Sequence, residues 1–431
     1  MSDDDIDGYF STARVSAREE AIELPPDDFR ANLYPVDSPQ FTQVRGMNFE
    51  QFAQDRYRAP FLRELLEYWD GLYREPFVGV TSDGVVREGL YALPEGGRND
   101  PELVAAAERL MGLLTPGERD QLGHPIDAPQ WRAWSNPEFM VYRIGLRLEC
   151  LADEKVEAIL EVVRRSLSPE GYQRVRQAME LNGFLGRLVE LPEILNARSY
   201  WFAIFGTPSQ DEPWGWQLSG HHVDVNFVTI GGRELAAPVF IGAEPALSDD
   251  EHPPLFAARE RAALELAGSL TEAQRAEAVV YDSVLDPRMP EGRIHPADER
   301  HLAGAFRDNR VIPYEGINAA ALDARQRELL RELVADCWLL LRVEQRAAQL
   351  DLFDAHLDET WFAWYGATDG SQPYYFRIQS PVIVAELDDH AGVWLANRLP
   401  ARFHVHTTLR VPNGNDYGKA YLAQWQGRQD S

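Results

Sequence analysis

The chain has 431 residues, enough for two or three ordinary domains or one large one with a sizeable core. Lys and Arg total 42 against 69 Asp and Glu, and a formal charge of −27 with no basic patch repels phosphate backbones and anionic membrane surfaces. Nucleic acid and membranes are therefore excluded as expected partners, and two cysteines, Cys150 and Cys337, leave no disulfide framework and no cysteine-rich zinc module.

The start, Met1-Ser2-Asp3-Asp4-Asp5, lacks the basic and apolar stretches of a secretory signal, and nowhere do about 18 apolar residues run together. A soluble, cytoplasmic protein is expected. Residues 1–60 scatter Pro, Asp and aromatics without a period and read as an irregular arm that wraps another part of the protein, with Phe29, Leu33, Tyr34, Phe41, Phe49 and Phe52 to bury. Residues 61–197 read as mainly helical, with good period over 103–113, 156–167 and 172–181. Helix starts recur in related words at Leu114-Thr115-Pro116, Leu167-Ser168-Pro169, Leu270-Thr271-Glu272 and Leu322-Asp323-Ala324. These are taken as common helix-start grammar rather than an internal repeat. Each cysteine sits among Leu and Val and reads as a buried structural thiol.

Residues 198–431 form the third region. Strands rich in β-branched and aromatic residues are predicted over 200–205, 221–230, 239–242, 360–366, 374–387 and 403–411, with helices over 257–266 and 329–341. Trp214-Gly215-Trp216 reads as a packed corner and 413–418 as a turn. The strands fall into two blocks, 198–245 and 359–412, separated by helices, and this segregation predicts an α+β fold with a strand-rich core packed against two helical blocks.

Alternate residues of a strand share a face, so His404, His406, Thr408 and Arg410 point one way and Phe403, Val405, Leu409 and Val411 the other. Two imidazoles at i and i+2 lie within reach of one cation. The same parity puts His222 with Asp224 and Asn226 on a polar face, leaving His221 either behind the ligands or redirected by a bulge after Gly220. Glu386 ends an apolar strand, and an acid there is costly to bury unless paired or bound to a cation, so it is expected to ligate the metal or to fix a ligand imidazole. Candidate metal ligands are thus His221, His222, His404, His406 and Glu386. Candidate catalytic groups are Glu244 and Asp224 as proton acceptors and Arg410 as a carboxylate partner. The histidines at 124, 252, 295, 301 and 390 lie among Pro, Gly and charges and read as solvated loop residues, and His356 reads equally as a further site residue or as a helix-end residue.

With these words in hand, the chain resembles the bacterial and fungal proteins of domain-of-unknown-function family 3500. The matching words are Phe205-Gly206-Thr207-Pro208, Pro213-Trp214-Gly215-Trp216, Gly220-His221-His222, Gly242-Ala243-Glu244-Pro245, His356-Leu357-Asp358, Ser380-Pro381-Val382-Ile383 and His404-Val405-His406-Thr407, running to Asn413-Gly414-Asn415-Asp416-Tyr417-Gly418. The resemblance spans about residues 198–418. Leu387-Asp388-Asp389-His390 stands where relatives carry a Phe-Asp-His-Gln sort of word, so the resemblance assigns Asp388 and His390 no role. It implies that the His motifs matter and implies no activity.

The expected function is a metal-dependent enzyme on a small-molecule substrate, acting through metal-activated water with zinc or iron as the divalent cofactor. Alternatives are a non-haem iron oxygenase and a non-catalytic binding or scaffold protein whose histidines form a structural network. No Gly-rich phosphate loop and no Gly-x-Ser-x-Gly word is present.

Overall fold

A computed structural model describes residues 28–250, 252–295 and 297–429. Several of its helices begin where the sequence supplies caps. Thr115 accepts from the Glu118 amide and Thr271 from the Gln274 amide, and in each case the third-residue side chain returns the bond.

Those two boxes open corresponding helices, because the order of elements is written twice. The first half runs α4 (Pro101–Leu113), α5 (Pro116–Leu122), β1 (Gly123–His124), β2 (Leu146–Arg147), α6 (Asp153–Ser166), α7 (Pro169–Leu188), β3 (Tyr200–Gly206), β4 (Trp214–Gly220), β5 (Val223–Ile230) and β6 (Arg233–Ala243). The second runs α8 (Ala257–Ser269), α9 (Glu272–Ala278), β7 (Val279–Tyr281), β8 (Ile317–Asn318), α10 (Ala324–Cys337), α11 (Val343–Ala355), β9 (Trp361–Tyr365), β10 (Tyr375–Gln379), β11 (Val384–His390) and β12 (Ala401–Arg410). Helices α1 (Pro39–Thr42), α2 (Phe49–Arg56) and α3 (Pro60–Arg74) precede them, and α12 (Lys419–Gln429) follows.

All twelve strands join one mixed sheet, ordered β1-β3-β4-β5-β6-β12-β11-β10-β9-β7, with β2 on β3 and β8 on β9. Read outward from the antiparallel β6–β12 seam, where Val405 faces Ala243, both halves repeat the same order. Backbone crossings repeat as well. A Cβ on Gly145 (φ +88°) would meet the Phe202 carbonyl oxygen at 2.0 Å, and one on Gly316 (φ +87°) the Phe362 oxygen at 2.1 Å. The helix-start words are therefore not grammar alone: Thr115 and Thr271 are equivalent, whereas Ser168 opens α7 and Asp323 opens α10, which are not.

Helices and a strand-rich sheet make the fold α+β, as expected. One hydrophobic cluster extends from Phe41 to Leu422, and β1 and β2 from the 61–197 region belong to the sheet, so position 197 divides no separate core. Of the 1–60 arm, residues 1–27 lie outside the described residues. From Asp28 on it buries Phe29, Phe41, Phe49 and Phe52 while Leu33 stays exposed.

Four local expectations are corrected. Trp214-Gly215-Trp216 lies within β4. The 374–387 stretch is a hairpin of β10 and β11 rather than one strand. The helix predicted over 329–341 ends at Cys337. Cys337 is buried but Cys150 is exposed.

Alternation along the strands divides the sheet's two faces. Trp216 donates to Ser166 of α6 on one face, while Gln217 donates to the Trp131 carbonyl on the other. The second face is covered by irregular segments, including residues 299–313, which meet Glu386, Arg377, Gln379 and Arg410. No helix among the described residues is long and apolar enough to cross a membrane.

Candidate metal centre

Strand parity puts His404, His406, Thr408 and Arg410 on the irregularly covered face, opposite Asp388 and Glu386 of β11 in the ladder. His221 and His222 are not on a strand: they form the two-residue link between Gly220 and Val223, which pair with each other, so β5 begins two residues later than predicted. His222 takes φ +65° there, and its ring stacks on that of His221 at 3.9 Å between centroids. Its amide donates to Asn136 Oδ1, and its carbonyl accepts from Gly242.

Three imidazole nitrogens then converge. His222 Nε2 and His404 Nε2 each lie 3.0 Å from His406 Nε2. His404 Nδ1 donates to the Ala391 carbonyl at 2.7 Å, which fixes the tautomer and leaves Nε2 a bare lone pair. One Nε2 proton at His406 cannot satisfy two facing lone pairs well, whereas a single cation satisfies all three, so the set fits a metal of nitrogen preference. The rings are neutral. Burial, with a smaller opposing contribution from the Glu299 carboxylate, takes His404 down to about 4. Burial and repulsion from neighbouring imidazoles hold His222 and His406 well below the ordinary range and His221 at about 3. His221 lies behind the trio, its Nδ1 2.8 Å from Asn182 Oδ1.

The trio opens into a pocket walled by Leu62, Leu65, Trp69, Phe139 and Val393, with Glu138 and Glu299 as its carboxylates. Three protein ligands facing a pocket is the arrangement that leaves a coordination position for substrate or water.

The predicted acids stand elsewhere. Glu244 accepts from the amides of Val393, Trp394 and Leu395 and lies 3.9 Å from His404 Nδ1, so it anchors the segment whose Ala391 carbonyl orients that ring. Burial outweighs those three bonds and pushes its carboxyl up to about 7. Asp224 is buried against Ser219 and pushed up to about 8 by burial; it lines no part of the pocket. Glu386 is buried, as expected of a compensated acid, but its oxygens accept from Leu302 N, Ala303 N and Tyr375 Oη, so it secures the 301–303 segment instead of joining the trio. Arg410 is occupied by Asp308, Asp416 and the carbonyls of Ala303 and Gly304 and presents nothing to a substrate.

Two histidines read as solvated are buried beside the trio. His390, on the face of Glu386 and Asp388, lies tilted against His406 with 3.8 Å between ring centroids. His301 Nδ1 meets Thr408 Oγ1 at 2.5 Å. His301, Asp388 and His390 form a second group with three potential ligand atoms within 4.8 Å of one another. For His390 the signal was present in the sequence, since parity runs from Glu386 through Asp388 to His390. His301 sits in a stretch without period, where no local pattern marks it.

A family model described as a protein of unknown function (DUF3500) matches residues 97–419. The chain belongs to this family. The match takes in both halves of the duplicated sheet and all of His222, His301, Asp388, His390, His404 and His406. No curated protein and no solved structure matches the chain.

Proposed function

We propose that this DUF3500 protein is a metal-dependent enzyme that acts on a small molecule by hydrolysis, with His222, His404 and His406 holding one divalent cation, zinc or iron. The observation that carries the reading is the convergence of three neutral imidazole Nε2 atoms in the buried lining of a half-apolar pocket. A cation bound there supplies a lowered water pKa and a polarising charge for a carbonyl oxygen. Leu62, Leu65, Trp69 and Phe139 bury the apolar part of the substrate and exclude water around the reacting group. Glu299 and Glu138 replace Glu244 and Asp224 as the proton acceptors, because they line the pocket. Burial raises Glu299 above the ordinary carboxylate range, toward the pH at which a base works best.

The oxygenase reading keeps one supporting observation: the neighbouring His301, Asp388 and His390 have the two-histidine, one-carboxylate composition of non-haem iron sites. A panel of small carboxyl esters, lactones and amides, assayed with zinc-loaded and iron-loaded protein, tests both. Turnover that His406→Ala and a chelator abolish is expected. Oxygen consumption by the iron form without hydrolysis would favour the oxygenase. Folded, metal-loaded protein that His406→Ala leaves fully active would overturn the assignment.

A further inference from the structure

We propose that His301, Asp388 and His390 bind a second divalent cation beside the first, making the centre dinuclear. This deepens the metal-dependent reading above and rests on it.

The second group is built by the same sheet face as the first. Asp388 stands directly opposite His406 in the β11–β12 ladder, and Thr408, next along that face, takes up His301 Nδ1 at 2.5 Å. Glu386 fixes the chain just after His301 by accepting from the Leu302 and Ala303 amides. His390 forms the shared wall, its ring centroid 3.8 Å from that of His406 and 5.5 Å from that of His404.

Unpartnered nitrogens point to a ligand. His301 Nε2 and His390 Nε2 are both buried and make no hydrogen bond. His390 Nε2 lies 3.1 Å from Asp388 Oδ2, yet off hydrogen-bonding geometry, while its Nδ1 lies 3.7 Å from Glu299 Oε1. A ring whose Nδ1–H faces Glu299 turns a bare Nε2 lone pair toward a carboxylate, an arrangement that repels unless a cation stands between them. Asp388 accepts from Arg300 Nε at Oδ1 and from the Arg300 amide at Oδ2, and each carboxylate oxygen keeps a second lone pair for a metal. Arg300 also pairs with Glu299, so one arginine faces two carboxylates and the group retains a net negative charge.

Two-metal centres hold their ions about 3.5–4 Å apart and suit substrates whose oxygen bridges both, which includes phosphate esters as well as carboxyl esters and amides. The ligand class proposed for the second site is a divalent cation of nitrogen and oxygen preference.

Full-length protein stripped with a chelator and dialysed against Co2+ tests the proposal by stoichiometry. Two Co2+ per chain are expected for the wild type and one for His301→Ala and His301→Gln, with circular dichroism unchanged. One Co2+ per chain in the wild type, retained by both variants, would overturn the dinuclear centre and leave the first site standing. No bound Co2+ in the folded wild type would overturn the metal reading itself. Should the variants misfold, wild type saturated with Mn2+ decides by electron paramagnetic resonance: an exchange-coupled spectrum is expected, and only isolated-ion signals at saturation would overturn the proposal.

Discussion

His222 occupies a backbone conformation that costs a non-glycine residue about 1–3 kcal/mol. Asn136 and Gly242 hold it there by hydrogen bonds on either side. Gly242 has a second duty at the site. A Cβ at that position would meet His406 Cδ2 at 2.6 Å and His222 Cδ2 at 3.1 Å, so the absent side chain sets the approach of two rings of the trio. Gly242→Ala is predicted to weaken metal binding about ten-fold or more although it removes no ligand, as isothermal titration would read. Unchanged affinity would show that the rings shift without consequence. Asp224 offers a separate check, since burial pushes its carboxyl up to about 8. An acid with a raised folded value stabilises while protonated: the contribution is complete below its ordinary value and is lost as pH rises through about 8. Wild type is therefore predicted to lose more stability than Asp224→Asn between about pH 5 and 9, read from urea midpoints. Parallel pH profiles would contradict it.

The segment that follows β11, residues 391–395, is the element on which the orientation of His404 depends. Glu299 accepts from the Ala391 amide, Glu244 from the amides of Val393, Trp394 and Leu395, and the Ala391 carbonyl orients His404. Glu244→Gln removes the charge that gathers these amides. It is predicted to cost about 10–100-fold in metal affinity, the range for groups that orient a ligand, with little change in thermal midpoint. A large stability loss with unchanged affinity would make Glu244 a packing residue only. Legibility in the sequence also varied at this scale. The face carrying His404 and His406 could be read because a regular strand obeys a period of two. Parity failed at His221-His222 because a two-residue link interrupts the ladder; the stretch 214–230 is too long for one strand, and Gly220 marked where it must turn. Ending the next strand at Leu387 hid Asp388 and His390, which lie one and two steps further along the face of Glu386.

At the scale of the molecule, the duplicated scaffold carries its histidine cluster at one of its two related ends. The turn between β4 and β5 bears His221 and His222, whereas the matching turn between β10 and β11 is Ser380-Pro381-Val382-Ile383. Caps, strand composition and segregation made the α+β class legible. The repeat was hidden because its halves share topology and crossing glycines while their side chains differ. Arg410 ties the halves to the segment over the site by joining Asp308 and Asp416, and Arg132 shares Asp308. Arg410→Met leaves Asp416 buried without a cationic partner and Asp308 with Arg132 alone, and is predicted to cost about 3–5 kcal/mol of stability without altering the histidine trio. A loss of metal at full stability would instead return Arg410 to the site. The most direct test of the central claim is anomalous scattering from crystals grown with zinc or iron, collected at each metal's absorption edge. The predicted result is a peak about 2.0–2.1 Å from Nε2 of His222, His404 and His406 together; well-ordered imidazoles bonded only to one another or to water, with no anomalous peak among them, would contradict it.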